Sequence, residues 1–186
     1  MWYVIQVKTG EESGIARKLK SQSIRAEVPI ENRPIRTGGA WTKKEYILFP
    51  GYVFLDMDFT ARNYYRVKEV PGVIRFLGDS KAPSTLSYLE AEWIRILSGN
   101  GEPLEPTLVR EDGSGGITVI SGVLKQLENR VLKWDKRSRK ATFEITICGE
   151  ARQVQLGIVV ESGGELQEVG SDASQDAAQP LLQDAT

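Results

Sequence analysis

Histidine is absent from the 186 residues, and cysteine occurs once, at Cys148. The first absence removes the commonest acid–base group at neutral pH and the commonest zinc ligand. Triads that need a histidine partner are excluded with it. A lone cysteine cannot form a disulfide within the chain, so Cys148, in the apolar run Phe143–Cys148, reads as a buried thiol in a reduced compartment. No apolar run approaches the roughly 20 residues of a membrane-spanning helix. The segment Met1–Val7 lacks a basic lead and reads as a first strand, not a signal peptide. Glycine-rich phosphate fingerprints are also missing: Gly113-Ser114-Gly115-Gly116 is not followed by Lys-Ser or Lys-Thr. These absences favour a cytoplasmic, non-enzymatic protein with no cofactor, metal or membrane partner. A small enzyme on an α/β sandwich stays as a competing reading, because carboxylates are plentiful.

The formal net charge of −1 hides a split. Residues 161–186 carry six acidic side chains and no Lys or Arg, which leaves +5 on residues 1–160. Such a basic excess permits nucleic-acid contact without requiring it. The acidic tail has almost no aromatic or β-branched content and is expected to be disordered.

Local patterns divide the remainder in two. Trp2–Val7 alternates as a strand. Thr9, with Glu12 three residues on, matches a capping box before a helix that carries Ile15 and Leu19 on one face. A short strand at 26–29 precedes the polar, basic stretch 33–44, whose Gly38-Gly39 centre marks a hairpin tip. Two apolar runs, 45–48 and 52–57, flank Pro50-Gly51, residues suited to the first and second corners of a turn. Thr60 caps a helix to Glu69, Val73–Leu77 is a strand, and Ser87 with Glu90 opens a helix to about residue 98. This unit, 1–98, reads as an antiparallel sheet with helices on one face. A flexible linker is expected over 99–115. Short strands at 117–120, 130–133, 141–147, 153–156 and 158–160 then suggest a barrel over 116–160.

The ordered motifs resemble the NusG family of transcription elongation factors. Trp2-Tyr3-Val4, the helix to Leu19, Val28-Pro29, Phe49-Pro50-Gly51-Tyr52-Val53-Phe54-Leu55, Val70-Pro71-Gly72-Val73, Phe76-Leu77-Gly78 and Lys81-Ala82-Pro83 follow the family's N-terminal domain in order. Gly122-Val123-Leu124-Lys125 resembles the first turn of its KOW barrel. Here Val123 replaces a Pro and Asn129 a Gly; asparagine tolerates a positive φ that would preserve the turn. The implied fold is α+β: a NusG-like α/β sandwich plus a small SH3-like KOW β-barrel. These departures, with the short stretch before Trp2, make the chain similar to the LoaP group of specialised antiterminators. The alternative is a general elongation or termination factor whose KOW domain binds a protein.

The resemblance implies a monomer that binds the clamp helices of the RNA polymerase largest subunit. The contact patch maps onto Phe49 and Tyr52, with Trp2 and Tyr3 beside them. The same aromatics also read as core. Of the adjacent Tyr64 and Tyr65, which cannot face one way on a helix, Tyr65 is expected to be exposed toward the opposite polymerase lobe. Arg33, Arg36, Lys43, Lys44 and Trp41 are candidates to meet non-template DNA, or form a plain solvated hairpin. Lys133, Lys136, Arg137, Arg139, Lys140 and Arg152 in the barrel are candidates for nascent RNA, in particular a hairpin. Trp134 reads equally as stacking surface or core.

Overall fold

The computed structural model describes residues 1–79 and 82–161. Lys81 and residues 162–186 of the expected tail lie outside the described residues. Eleven strands and three α-helices are present among them: β1 Trp2–Val7, α1 Glu12–Ser21, β2 Arg25–Glu27, β3 Ile30–Thr37, β4 Ala40–Ile47, β5 Tyr52–Asp56, α2 Ala61–Lys68, β6 Val73–Phe76, α3 Tyr88–Leu97, β7 Thr107–Glu111, β8 Ile117–Ser121, β9 Val131–Asp135, β10 Lys140–Ile147 and β11 Glu150–Glu161.

The alternation of β1 splits its side chains between two cores. Tyr3, Ile5 and Val7 face Ile15, Ala16 and Leu19 of α1 and Val67 of α2, while Val4 faces Phe54, Ile94 and Leu97. The first sheet runs β2-β5-β1-β6, antiparallel throughout. Helices were expected on one face only. Instead α1 and α2 cover one side, and α3 lies on the other, because its Ile94 and Leu97 stripe packs between the two sheets. Its start is the Ser87–Glu90 capping box read from sequence. Thr60 caps α2 through Asn63 N–H at 3.1 Å.

The expected capping box at Thr9 does not form. The residue preceding α1 is Glu11, and it makes no side-chain cap bond. Glu12 is fully buried, and its carboxylate accepts Gly51 N–H at 2.7 Å and Gly10 N–H at 2.8 Å. Gly51 sits at φ +83°, and the carboxylate satisfies a backbone donor that the sharp Pro50-Gly51 turn leaves unpaired.

Strands β3 and β4 form the long hairpin around Gly38-Gly39, both at positive φ. The second sheet runs β8-β7-β11-β10-β9 and is curled without closing, since its outer strands β8 and β9 are not paired. The reason lies in residues 122–130, which form two 3₁₀ turns that plug the core with Leu124 and Leu127 in place of a tight strand connection. Asn129 belongs to the second turn and does not take the positive φ expected of it; Gly122 does, at +105°.

Two further differences concern strand limits. Thr107–Glu111, expected in the linker, is β7, paired parallel to β11 and antiparallel to β8, with Val109 fully buried. Leu104 in the same segment exchanges backbone bonds with Ile30 and Asn32 at 2.8 Å each. The strands expected at 153–156 and 158–160 are one continuous β11, since Gly157 keeps its place in the ladder opposite Lys140.

Replacing Glu12 by Ala leaves the buried Gly51 N–H and the part-buried Gly10 N–H without their acceptor. The expected cost is about 3 kcal/mol, with Glu12→Gln losing less. Urea denaturation followed by circular dichroism measures both; equal stability of Glu12→Ala and wild type would show that the turn does not need the carboxylate.

Candidate functional site: an aromatic edge and a two-part basic surface

The Phe49–Tyr52 turn joins β4 to β5 at one end of the first sheet, in which β5 is an interior strand. Phe49 is buried, edge-to-face on Phe54 with ring centroids 5.3 Å apart. Trp2 and Tyr52 are half-buried and pack against the same apolar cluster. Tyr3 is not part of this edge. It is buried on the opposite face against Phe59 and Phe76, because neighbouring strand residues point to opposite sides. On α2, Tyr65 is 61% exposed while Tyr64 stacks on Phe76 at 5.3 Å.

The second sheet lies across this edge. The apolar cluster that holds Val4, Phe54 and Ile94 continues without a break into Phe143, Ile145 and Ile147 of β10. Arg152 of β11 places its guanidinium 5.8 Å from the Tyr52 ring, and Arg130 lies 4.6 Å from that of Trp93 on α3. Two buried carboxylates complete the junction. Glu31, 1% exposed, accepts Gly157 N–H at 2.7 Å and pairs with Arg33. Glu90 accepts Gly149 N–H at 3.0 Å while capping α3. Gly157 is required at its position: a Cβ there would stand 2.7 Å from Cδ of Pro34.

The two carboxylates are shifted in opposite directions. Burial pushes Glu31 up from its ordinary value, and the bonds from Gly157 and Arg33 only partly offset it. Burial also pushes Glu90 up, but hydrogen bonds from Gly149 and Ser87 outweigh it and the net shift is down. Cys148 is half-buried rather than buried, at φ +51° in the turn before Gly149, and burial raises its thiol.

The structure divides the basic candidates by what they touch. Arg33 is held by Glu31 and donates to the Gln155 carbonyl at 2.8 Å, so it ties β3 to β11. Lys43 pairs with Glu105 at 2.6 Å, Lys136 with Glu111, and Arg152 with Glu150 at 2.6 Å. Lys44 is exposed with its ammonium 5.7 Å from the Tyr46 ring. Lys133 is exposed on β9, and Lys140 is half-buried opposite Gly157. Trp134 is half-buried against the second core. Arg36 and Arg137 are exposed, and Arg139 is half-buried with its guanidinium 3.9 Å from the Trp41 ring. The hairpin tip and the β9–β10 tip, separate in sequence, therefore meet. Glu31, Glu90 and Gly157 escaped sequence reading as junction residues, because the bonds that define that role are made with residues as far as 126 positions away.

Among the described residues no group of three or more His, Cys, Asp or Glu is placed to hold a metal, and no helix is long and apolar enough to cross a membrane.

Comparison with known proteins gives one consistent answer. Residues 1–95 match the family model described as Transcription termination factor nusG. The Transcription termination/antitermination protein NusG of Helicobacter pylori (strain J99) is 26% identical over 165 residues, covering 83% of this chain and 93% of that protein. The protein of that name from Buchnera aphidicola is 29% identical over 167 residues, covering 83% and 91%. The solved structure "Domain interaction in Thermotoga maritima NusG" shares the fold, with TM-score 0.51 at 23% identity over 84% of this chain and 93% of that one.

A raised carboxylate favours the packed state most when protonated, so the Glu31 contribution is full below its ordinary value of 4.5 and falls as pH rises through the shifted range. Packing of the two sheets, followed by fluorescence transfer between labels on the two units, is expected to loosen across that rise. Glu31→Gln should flatten the response. An identical pH profile in Glu31→Gln would remove Glu31 from the junction's titration.

Proposed function

The chain belongs to the NusG family, and on that premise we propose that it acts as a general NusG-type elongation and termination factor that docks on RNA polymerase through the Trp2–Phe49–Tyr52 edge. The observation that carries this reading is that face itself: half-buried Tyr52 at a turn whose Gly51 N–H a buried carboxylate accepts, and half-buried Trp2 on the same face at the other end of the β1–β5 pair. Aromatic side chains on a preorganised surface concentrate binding energy at little entropic cost, which suits the tip of a helical partner such as the polymerase clamp helices. Tyr65 is exposed on α2, which supports assigning it the contact with the opposite polymerase lobe. The action would be mechanical. Bridging the two sides of the cleft holds the clamp closed, which disfavours the opening that pausing and termination need. No reaction is involved, and the setting is cytoplasmic.

Docking at this edge requires the second sheet to move away, because Arg152 and the β10 apolar residues occupy it. Once displaced, that sheet is available to a protein partner. A second reading is processive antitermination by a paralogue similar to the LoaP group, with the second sheet on a nascent RNA hairpin and the β3–β4 hairpin near non-template DNA. The observation favouring it is the exposed Arg137 at the β9–β10 tip, which has no ion pair among the described residues.

The test is a pull-down on core RNA polymerase with purified variants. Wild type should bind, and Trp2→Ala and Tyr52→Ala should each weaken binding about tenfold or more. Gly157→Val, which forces the sheets apart, should bind more tightly than wild type, since affinity is reduced by the fraction of molecules that are closed. Failure of wild type to bind, or unchanged binding by both aromatic variants, would reject polymerase docking at this edge.

A further inference from the structure

The two basic tips come from strands about 100 residues apart in the chain, yet they touch. Arg36 and Trp41 are register partners beside the Gly38-Gly39 turn of the β3–β4 hairpin. Arg139 closes the β9–β10 tip at φ +51°, a conformation that non-glycine residues rarely take. From there its guanidinium reaches 3.9 Å from the Trp41 ring, across the boundary between the two units. Burial, with the charge of Arg36 second, pushes the Arg139 guanidinium down from its ordinary value. Arg36, as the cross-strand partner of Trp41, shares the side of the hairpin on which Arg139 meets that ring, and neither guanidinium has a carboxylate ion pair among the described residues. Arg137, two positions away and exposed, adds a third positive charge. The neighbouring lysines are different, since Lys43 and Lys136 are each neutralised by a glutamate.

We propose that Arg36, Arg137 and Arg139, assembled on Trp41 only when the two units pack together, form one composite site for the sugar–phosphate backbone of a nucleic-acid strand. A phosphate between Arg36 and Arg139 relieves their repulsion and accepts forked N–H donors, the geometry in which arginine outperforms lysine. Trp41 serves as the platform that orients Arg139, and in the packed state its face is taken by the guanidinium instead of a base. Because the site straddles the junction, a bound strand holds the units together and opposes uncovering of the Tyr52 edge. This inference rests on the nucleic-acid reading of the two tips and is independent of polymerase docking.

The full chain is titrated into fluorescein-labelled single-stranded RNA, single-stranded DNA of the same sequence and an RNA hairpin, each across a salt series. Three phosphate contacts at about 0.7 each predict a slope near −2 in log affinity against log salt, about a twentyfold loss between 50 and 200 mM. Arg36→Ala and Arg139→Ala should each lower that slope by about 0.7, while Lys18→Ala on α1 leaves it alone. Trp41→Ala and Gly157→Val remove no charge and should still weaken binding severalfold, because they dismantle the platform or part the units. Circular dichroism confirms that each variant is folded, and the exposed-hairpin variant Trp41→Ala keeps the test decisive should Gly157→Val fail to fold. Similar affinities for RNA and DNA strands support a backbone site; preference for the hairpin alone would overturn it in favour of recognition by the second sheet. Absence of binding at low salt, or full binding by Arg36→Ala, would also overturn it. Gly157→Val is expected to move polymerase binding up and strand binding down, so failure of either reading is visible separately.

Discussion

The hydrogen bond from Gly157 N–H to the buried Glu31 carboxylate governs how the rest of the molecule is presented. A carboxylate removed from water is costly unless its oxygens are satisfied, and here Gly157 and Arg33 satisfy them. Both donors act at one crossing point, where β3 runs against β11 without a side chain at Gly157 to keep them apart. From that point the second sheet extends over α3 and the edge carrying Phe49 and Tyr52. The contact is therefore more than a local bond. It determines which face of the first unit is covered and which two basic tips are adjacent.

A junction of this composition is suited to reversible opening. Its apolar part, around Ile94, Phe143 and Ile147, supplies non-directional attraction. Its polar part consists of charged groups that water stabilises well once exposed. The opposed shifts of Glu31 and Glu90 give the two carboxylates opposite pH dependences, so neither strongly acidic nor alkaline conditions suit both. Tyr52 meets Arg152 in the packed arrangement, and under the proposed docking, opening would release it for a helical partner.

Much of the architecture was legible in local patterns. The Ser87–Glu90 capping box, the Thr60 cap, the alternation of β1, the glycine-tipped hairpin and the order of motifs leading to the family all depend on residues within a few positions of each other. That Tyr64 and Tyr65 face different ways follows from helix geometry; that Tyr65 is the exposed one was an expectation from the resemblance, and the structure agrees. What escaped reading involved distant partners. Glu12 looked like half of a capping box, and its true acceptor role depends on Gly51, 39 positions on. Gly157 looked like a strand break, whereas its bare Cα admits Pro34. The segment before Ile117 looked like linker because prolines and glycines surround β7, and only the parallel partner β11 reveals it as a strand.

Family membership, the two-part organisation, the type of most elements and the concentration of charge at two tips are all written in the order of residues along the chain. They are features of spacing, and spacing is local. Packing in three dimensions added the rest: α3 and the second sheet share a face, the Phe49–Tyr52 edge is covered, and Arg36 and Arg139 are neighbours over Trp41. These outcomes depend on burial and on bonds between residues up to 126 positions apart, and such a pairing leaves no periodic trace in the chain.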